Sequence, residues 1–250
     1  MEIKFKDHFS EDSVGYKYYR PTYPDELFSY LSSISTGHER AWDCATGTGQ
    51  TAIQLVGYYR EVIATDASKS QIEQAEKRDG ISYRVAAAEN SSLERNSVDL
   101  ISVSQALHWF DIEAFSKEVN RVLKPGGLLA VWTYNLMSVS DKIDERINYL
   151  YQTVLEGYWP KERALVEEGY QSVELPFKEL QPPAFRMAAR WNLNQLLGYL
   201  GTWSAAKAYE RQVGDSPIQR IYHDLFSAWG EPNELKPITW PLNVRLWRKG

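Results

Sequence analysis

"AWDCATGTGQTA", residues 41–52, is the stretch on which the reading of the whole chain turns. Its first half, with Arg40 before it, is a short apolar run. Its second half sets Gly47 and Gly49 ahead of a segment with helical spacing. A strand that passes through a glycine-rich turn into a helix makes a cradle for a nucleoside cofactor. Glycine admits backbone conformations closed to other residues, and the first N–H groups of the helix face the ligand. Gly47, Gly49 and Ala52 spell G-x-G-x-x-G/A, the spacing of dinucleotide-binding loops. Asp43 and the run Ala45-Thr46-Gly47-Thr48-Gly49 point to a different nucleoside cofactor, so the loop alone leaves its ligand open.

Outward from the loop, short apolar runs alternate with helical stretches. The runs are "RAWDCA" (40–45), "EVIATD" (61–66), "ISYRVAAAE" (81–89), "VDLISVSQ" (98–105) and "LLAVWTY" (128–134). Between them, 50–58, 69–77 and 111–123 have helical spacing, and 25–35 precedes them with Leu27, Tyr30, Leu31 and Ile34 on one face. The apolar runs are continuous rather than alternating, as expected of strands covered on both faces. This predicts an α/β fold: a doubly wound, Rossmann-like, seven-stranded and mostly parallel sheet with helices on both faces. After Asn135 helical candidates dominate (141–156, 160–168, 193–200, 217–229), with extended stretches near 177–180 and 184–190. The closing "WPLNVRLWRK" (240–249) alternates as a last strand. The predicted organisation is therefore one domain, 1–250. It has an N-terminal cap (1–38), a cofactor-binding core (39–135), a largely helical insertion or lid (136–239) and a final strand (240–250).

Composition narrows the function classes. The net charge is −5 and the 28 basic residues form no run, which predicts no nucleic-acid partner. No apolar run approaches the ~20 residues of a membrane span, and the single cysteine, Cys44, fits a cytoplasmic protein without disulfides. His8, His38, His108 and His223 are scattered, so no structural metal is expected. Nine Trp and 16 Tyr are unusual, and six of the Trp lie beyond residue 150, where they either build a second core or line a cavity.

In an open α/β sheet, ligands sit at the carboxyl ends of the strands near the switch in strand order. Residues 43–50, 66–68, 87–90 and 104–109 are thus expected to converge on one crevice. Asp66, ending the second strand, can accept both hydroxyls of a ribose. Glu89 falls either beside an adenine edge or into a capping role.

Taken in order, Asp43-x-Ala-x-Gly-Thr-Gly49, Asp66, "AAAE" (86–89), "VDLISVSQALHWFD" (98–111) and "RVLKPGG" (121–127) resemble the class I S-adenosylmethionine-dependent methyltransferases of the type 11 group. "YRPTYP" (19–24), "ALHWFD" and "WNLNQLLGYLGTWSA" (191–205) are similar to the subgroup related to trans-aconitate methyltransferases. One departure is Ala45, where that family usually has glycine. The change is mild if the backbone there has negative φ.

The resemblance implies S-adenosylmethionine as cofactor, S-adenosylhomocysteine as product and a small-molecule acceptor such as an organic-acid carboxylate. It places Asp43, Ala45, Gly47, Gly49 and Gln105 around the methionine and ribose. It sets Asp66 on the ribose hydroxyls, and Ala67, Ser68, Ala88 and Glu89 around the adenine. Tyr16, Tyr19 and Arg20 belong to a segment that closes over the site in related enzymes. Trp109, Trp132, Tyr134 and Trp203, with Tyr209, are candidates to line the acceptor pocket or to be core. Arg186, Arg190 and Arg211 are weaker candidates for an anionic acceptor. His108 is either a general base or a packing residue; a carboxylate acceptor needs no base, whereas a hydroxyl or amine does. The expected assembly is a monomer or homodimer. The rival readings are an NAD(P)-dependent oxidoreductase and a non-catalytic protein that binds S-adenosylmethionine.

Overall fold

The computed structural model describes residues 21–250. Helix α1 (Asp25–Ile34) begins after Pro24 with Asp25 and Glu26 in its first turn, where their charge favours the helix dipole. It is followed by β1 (Arg40–Cys44), α2 (Gln50–Leu55), β2 (Glu61–Asp66), α3 (Lys69–Gln74), β3 (Ile81–Val85), β4 (Val98–Ser104), α4 (Ile112–Val122) and β5 (Leu123–Tyr134). These five strands lie in the order β3-β2-β1-β4-β5, every neighbouring pair parallel. The order reverses at β1, and the crevice at that switch opens beside the glycine loop.

Beyond β5 come α5 (Asp141–Tyr149), α6 (Arg163–Glu167), β6 (Lys178–Leu180), β7 (Phe185–Trp191), α7 (Leu193–Gly201), α8 (Ser204–Val213), α9 (Tyr222–Trp229) and β8 (Lys236–Arg248). Strand β8 runs antiparallel to β5 along one edge. Along its other edge it pairs with β6 near Arg248 and with β7 nearer its start. The sheet therefore has eight strands where the sequence reading counts seven, because both extended stretches of the insertion become strands on the same long partner. The third strand ends at Val85 instead of continuing to Glu89, since Ala87 bridges back to Asn90 in a tight turn.

Both faces of the sheet are covered. On one, Leu27, Phe28 and Leu31 of α1, Ala52 and Leu55 of α2, and the apolar sides of α5, α7, α8 and α9 share a core with Leu128, Ala130 and Trp132 of β5. On the other, Phe115, Val119 and Val122 of α4 pack with Ile101, Val103 and Val131. Those three α4 residues recur at i, i+4, i+7 and are wholly buried, about 1.5–3 kcal/mol of hydrophobic stabilisation each. Asp111 starts that helix by accepting the Ala114 N–H at 3.0 Å. Substituting Phe115 with alanine would cost about 3–5 kcal/mol and open a cavity beside Trp42.

The insertion straddles the sheet. Val166 of α6, with Tyr170 and Val173 just after it, is buried on the α4 face, whereas the other insertion helices cover the α1 face. Helix α5 continues through a widened turn, Leu150–Val154, closed by an i→i+5 bond from Leu155 N–H to Leu150 O at 3.0 Å. No helix among the described residues is long and apolar enough to cross a membrane.

Candidate functional site

The parallel register sets Asp43 of β1 opposite Ser102 of β4, so neighbouring side chains meet on one face. The Ser102 hydroxyl donates to Asp43 Oδ1 at 2.7 Å, and the Thr46 hydroxyl donates to Oδ2 at 2.5 Å. Asp43 is completely buried, and desolvation raises its pKa to about 6 despite these bonds. A carboxylate with this environment is stabilised by a cation brought next to it.

Ala45 has φ +54°, in the left-handed region. The mild outcome expected for negative φ therefore does not hold, and the residue carries a strain of about 1–2 kcal/mol. The backbone on its far side is fixed by Thr46, whose N–H donates to Thr65 O at 2.9 Å.

The two glycines of the loop have different physical reasons. Gly47 (φ +57°) has open space where a side chain would project, the nearest atom being Gln71 Oε1 at 3.7 Å, as a close ligand approach requires. At Gly49 (φ +90°) a Cβ would sit 2.2 Å from Tyr83 Oη, so this glycine is demanded by packing against β3.

Asp66 ends β2 and ties two turns together. Its Oδ2 accepts the Gly47 N–H at 2.9 Å and its Oδ1 the Ser68 N–H at 2.8 Å. A carboxylate offers about four acceptor positions, so anchoring the loop is compatible with holding the hydroxyls of a ribose. Ser68 is buried and starts α3, its hydroxyl accepting the Gln71 N–H, with half-buried Ala67 beside it. An open cradle over Gly47, a diol acceptor at Asp66 and a buried carboxylate at Asp43 fit a cationic nucleoside cofactor.

The next two predicted contacts are engaged by the protein itself. Ala88 packs into the α4-side core. Glu89 accepts the Asp111 N–H at 3.0 Å and so links its turn to the start of α4. Gln105, also left-handed at φ +54°, uses both ends of its amide on β5. Its Nε2 donates to Tyr134 O at 3.0 Å, and its Oε1 accepts the Thr133 hydroxyl. That side chain spans the carboxyl ends of β4 and β5.

His108 lies in the turn after β4, its Nδ1 2.9 Å from Tyr170 Oη with the rings stacked. Burial, and then the positive charge of Arg163, lower its pKa to about 3. Burial drives the Tyr170 phenol far above its ordinary value. Tyr170 follows Gly169, both with positive φ, and its carbonyl is held by Arg245 Nη1, which also donates to Val173 O at 2.6 Å.

Arg163, absent from the residues singled out in the sequence, stands at the carboxyl end of β5. Its Nη2 donates to Asn135 Oδ1 at 2.6 Å and its Nε to Tyr151 Oη at 3.0 Å, while the guanidinium lies 4.9 Å from the Trp159 ring centroid. The only advance signal is "WPKER" (159–163), which sets Arg163 one turn after a tryptophan.

The acceptor candidates divide. Tyr16, Tyr19 and Arg20 lie outside the described residues. Just after them, Pro21 O accepts from Gln50 Nε2 at 2.9 Å, pinning the chain to the loop helix. Trp132 is wholly buried beneath α1, edge-on to Tyr23 and Phe28, so it is core and offers no surface to an acceptor. Tyr134 is buried near Tyr23, and Tyr209 against Tyr158. Trp109 is half-buried beside His108, and Trp203 closes a cage with Tyr151, Trp159 and Tyr199. Arg186 and Arg190 are exposed on strand β7 and Arg211 is exposed on α8, so none of them stands with Arg163 at the end of β5.

Comparison with known proteins agrees with this geometry. Residues 42–131 match a methyltransferase domain family. A candidate methyltransferase of Dictyostelium discoideum is 34% identical over 230 residues, covering 90% of this chain and 88% of the relative. A candidate S-adenosylmethionine-dependent methyltransferase of Saccharomyces cerevisiae is 25% identical, covering 91% and 88%. A solved structure of a candidate type II methyltransferase from Anaeromyxobacter dehalogenans superposes with a TM-score of 0.87 at 39% identity, covering 92% of this chain and 97% of that one.

Proposed function

The chain belongs to the class I S-adenosylmethionine-dependent methyltransferases, and on that premise we propose that it methylates a carboxylate oxygen of a small organic acid. Membership sets aside the nicotinamide reading of the glycine loop. The bound cofactor supplies a methyl group activated on a cationic sulfur, which departs as a neutral thioether. Asp66 would hold the ribose hydroxyls, the cradle over Gly47 would admit the backbone-close part of the cofactor, and buried Asp43 would lie nearest its positive charge. What remains for the protein is to hold an acceptor in line and keep water out.

The observation that carries the acceptor class is the state of His108. Enclosed, next to Tyr170 and under the field of Arg163, it has a pKa of about 3. A general base works best with a pKa near the operating pH, so this imidazole is poorly suited to take a proton from a hydroxyl or an ammonium. A carboxylate is already ionised at neutral pH and asks for no base. Among the described residues no carboxylate pairs with His108 to raise its basicity.

The test is formation of S-adenosylhomocysteine, with identification of the methylated product, across carboxylic acids and the alcohols and amines of matching skeleton. Methyl esters are the expected product. Turnover of alcohols or amines with none of the acids would overturn the reading.

A further inference from the structure

Three features of the insertion converge on one side chain. The first is an uncompensated charge. Among the described residues Arg163 has no carboxylate within ion-pair distance: its partners are the amide oxygen of Asn135, the hydroxyl of Tyr151 and the rings of Tyr151 and Trp159. Tyr151, which accepts from Arg163 Nε, donates in turn to Glu167 Oε1 at 2.5 Å, so that carboxylate meets the guanidinium only through the phenol. A guanidinium has five N–H donors; one on Nε and one on Nη2 are used, and both on Nη1 have no partner among the described residues. A half-buried arginine left in this condition is poised for an anion.

The second feature is place. Asn135 directly follows β5, and Gln105 ties the ends of β4 and β5 together, so Arg163 stands at the carboxyl edge of the sheet. Its charge reaches His108 and Tyr170. Asp66 and the adenine-side turns lie on the other side of β1, which leaves the β4–β5 end of the crevice for the acceptor. The third feature is construction. Tyr151, which holds Nε, lies within the widened helical turn Leu150–Val154, a distortion that is frequent at functional sites, and Trp203 packs edge-on against it.

We propose that Arg163 is the residue that selects the acceptor, binding an anionic carboxylate group through its Nη1 edge while the Tyr151–Trp159 pair fixes the guanidinium plane. This rests on the methyltransferase reading and adds to it the side chain that recognises the acid. The fork of a guanidinium matches the plane of a carboxylate, and the surrounding rings lower the local dielectric and strengthen the contact.

Calorimetric titration of the protein saturated with S-adenosylhomocysteine tests it. The probes are benzoate and hexanoate, their neutral amides, and phenyl phosphate. The two carboxylates are expected to bind the parent protein more tightly than the amides. In Arg163→Met their affinity should fall about 10- to 100-fold, the range for one charged hydrogen-bonding partner, while amide binding stays within about threefold. Arg163→Lys, which keeps the charge and loses the fork, should fall in between, and serves where the methionine variant fails to fold. The His108 imidazole pKa, followed by NMR, should rise in Arg163→Met as the neighbouring charge disappears.

Equal loss for carboxylates and amides, unchanged carboxylate binding in Arg163→Met, a preference of the parent protein for phenyl phosphate, or no binding of either carboxylate would each overturn the assignment. The two readings fail separately. Carboxylates bound through Arg163 but never esterified would sink O-methylation alone. Methyl esters formed equally by Arg163→Met would sink the arginine's role alone.

Discussion

Replacing Asp43 with asparagine should make the ligand-free protein more stable at neutral pH while weakening its hold on the cofactor. Burial raises the Asp43 pKa from 3.8 to about 6, so the folded protein binds this proton more tightly than the unfolded chain does. The group's stabilising contribution is complete below about pH 4 and is lost as the pH rises through about 6. At 1.36 kcal/mol per pKa unit the loss is about 3 kcal/mol. Asparagine has nearly the same shape and no charge to desolvate. The Ser102 and Thr46 hydroxyls can turn to suit an amide, donating to its oxygen and accepting from its nitrogen.

His108 contributes in the opposite sense, because its folded pKa lies below the ordinary value and stability is lost as the pH falls from about 6.5 towards 3. That loss is common to parent and variant and cancels in their difference. Urea denaturation followed by tryptophan fluorescence, at several values between pH 4 and 8, gives that difference directly. Asp43→Asn is expected to match the parent near pH 4 and to exceed it by up to about 3 kcal/mol at pH 8. Over the same range its affinity for S-adenosylmethionine should fall, since a cation beside Asp43 draws its stabilisation from the ionised carboxylate. A difference independent of pH would refute the reasoning, because it would mean that Asp43 titrates as an exposed carboxylate does.

Other consequences are simpler. His108→Asn should lower the turnover of a carboxylate acceptor by less than about tenfold in steady-state assays, whereas loss of a true general base costs about 10²–10⁴-fold. Gly49→Ala meets both a positive φ and the Tyr83 hydroxyl, and should lose about 1–3 kcal/mol in denaturation. Tyr83→Phe, which removes the nearest clashing atom, should restore part of that loss, and a double-mutant cycle reads the coupling. Ala45→Gly relieves about 1–2 kcal/mol of left-handed strain and adds about 0.4–1 kcal/mol of unfolded-state entropy. The net is a gain of about 0–1.6 kcal/mol in the same measurement, and a loss beyond about 1 kcal/mol would show that the alanine methyl is needed for packing.

The parallel half of the sheet was legible because its signals are local. Continuous apolar runs of five to seven residues, each beside a helical stretch, describe β1, β2, β4 and the end of β5 with little ambiguity. The eighth strand was not legible for an equally physical reason. Lys178–Leu180 and Phe185–Trp191 become strands only because β8 is long enough, at 13 residues, to pair with both along one edge. Both segments read as extended, but their pairing into the sheet is decided by a partner more than 40 residues away, which their own sequences do not name. The insertion likewise reads as one helical block, yet Val166 and Tyr170 bury on the α4 face while Leu196 and Leu225 bury on the other. Periodicity shows that a helix has an apolar face and is silent on which side of the sheet receives it.

The site divides along the same line. Gly47 and Asp66 could be singled out in advance because a turn before a helix and a strand end mark them by position, and the bond from Gly47 N–H to Asp66 follows from that geometry. The role expected of Asp43 came instead with the family resemblance, and its bonds come from the Thr46 and Ser102 side chains. Arg163 and Tyr170 reach His108 from elements 55 and more residues downstream, through contacts among side chains that no spacing rule encodes. The strain is distributed in a similar way. Of the five non-glycine residues with positive φ among the described residues, Ala45, Gln105 and Tyr170 stand in segments that meet at the carboxyl ends of β1, β4 and β5, whereas Ser92 and Asn96 lie in the connection from β3 to β4. Each is clamped on a neighbouring atom: Ala45 by the Thr46 bonds to Thr65 and Asp43, Gln105 by its amide on Tyr134 and Thr133, Tyr170 by Arg245. Backbone strain persists only where surrounding contacts over-determine it, and here those contacts lie where a cofactor and an acceptor would meet. A buried charge acts in the same direction as backbone strain, so Asp43→Asn, which removes the desolvated carboxylate, is expected to raise stability and lower ligand affinity together.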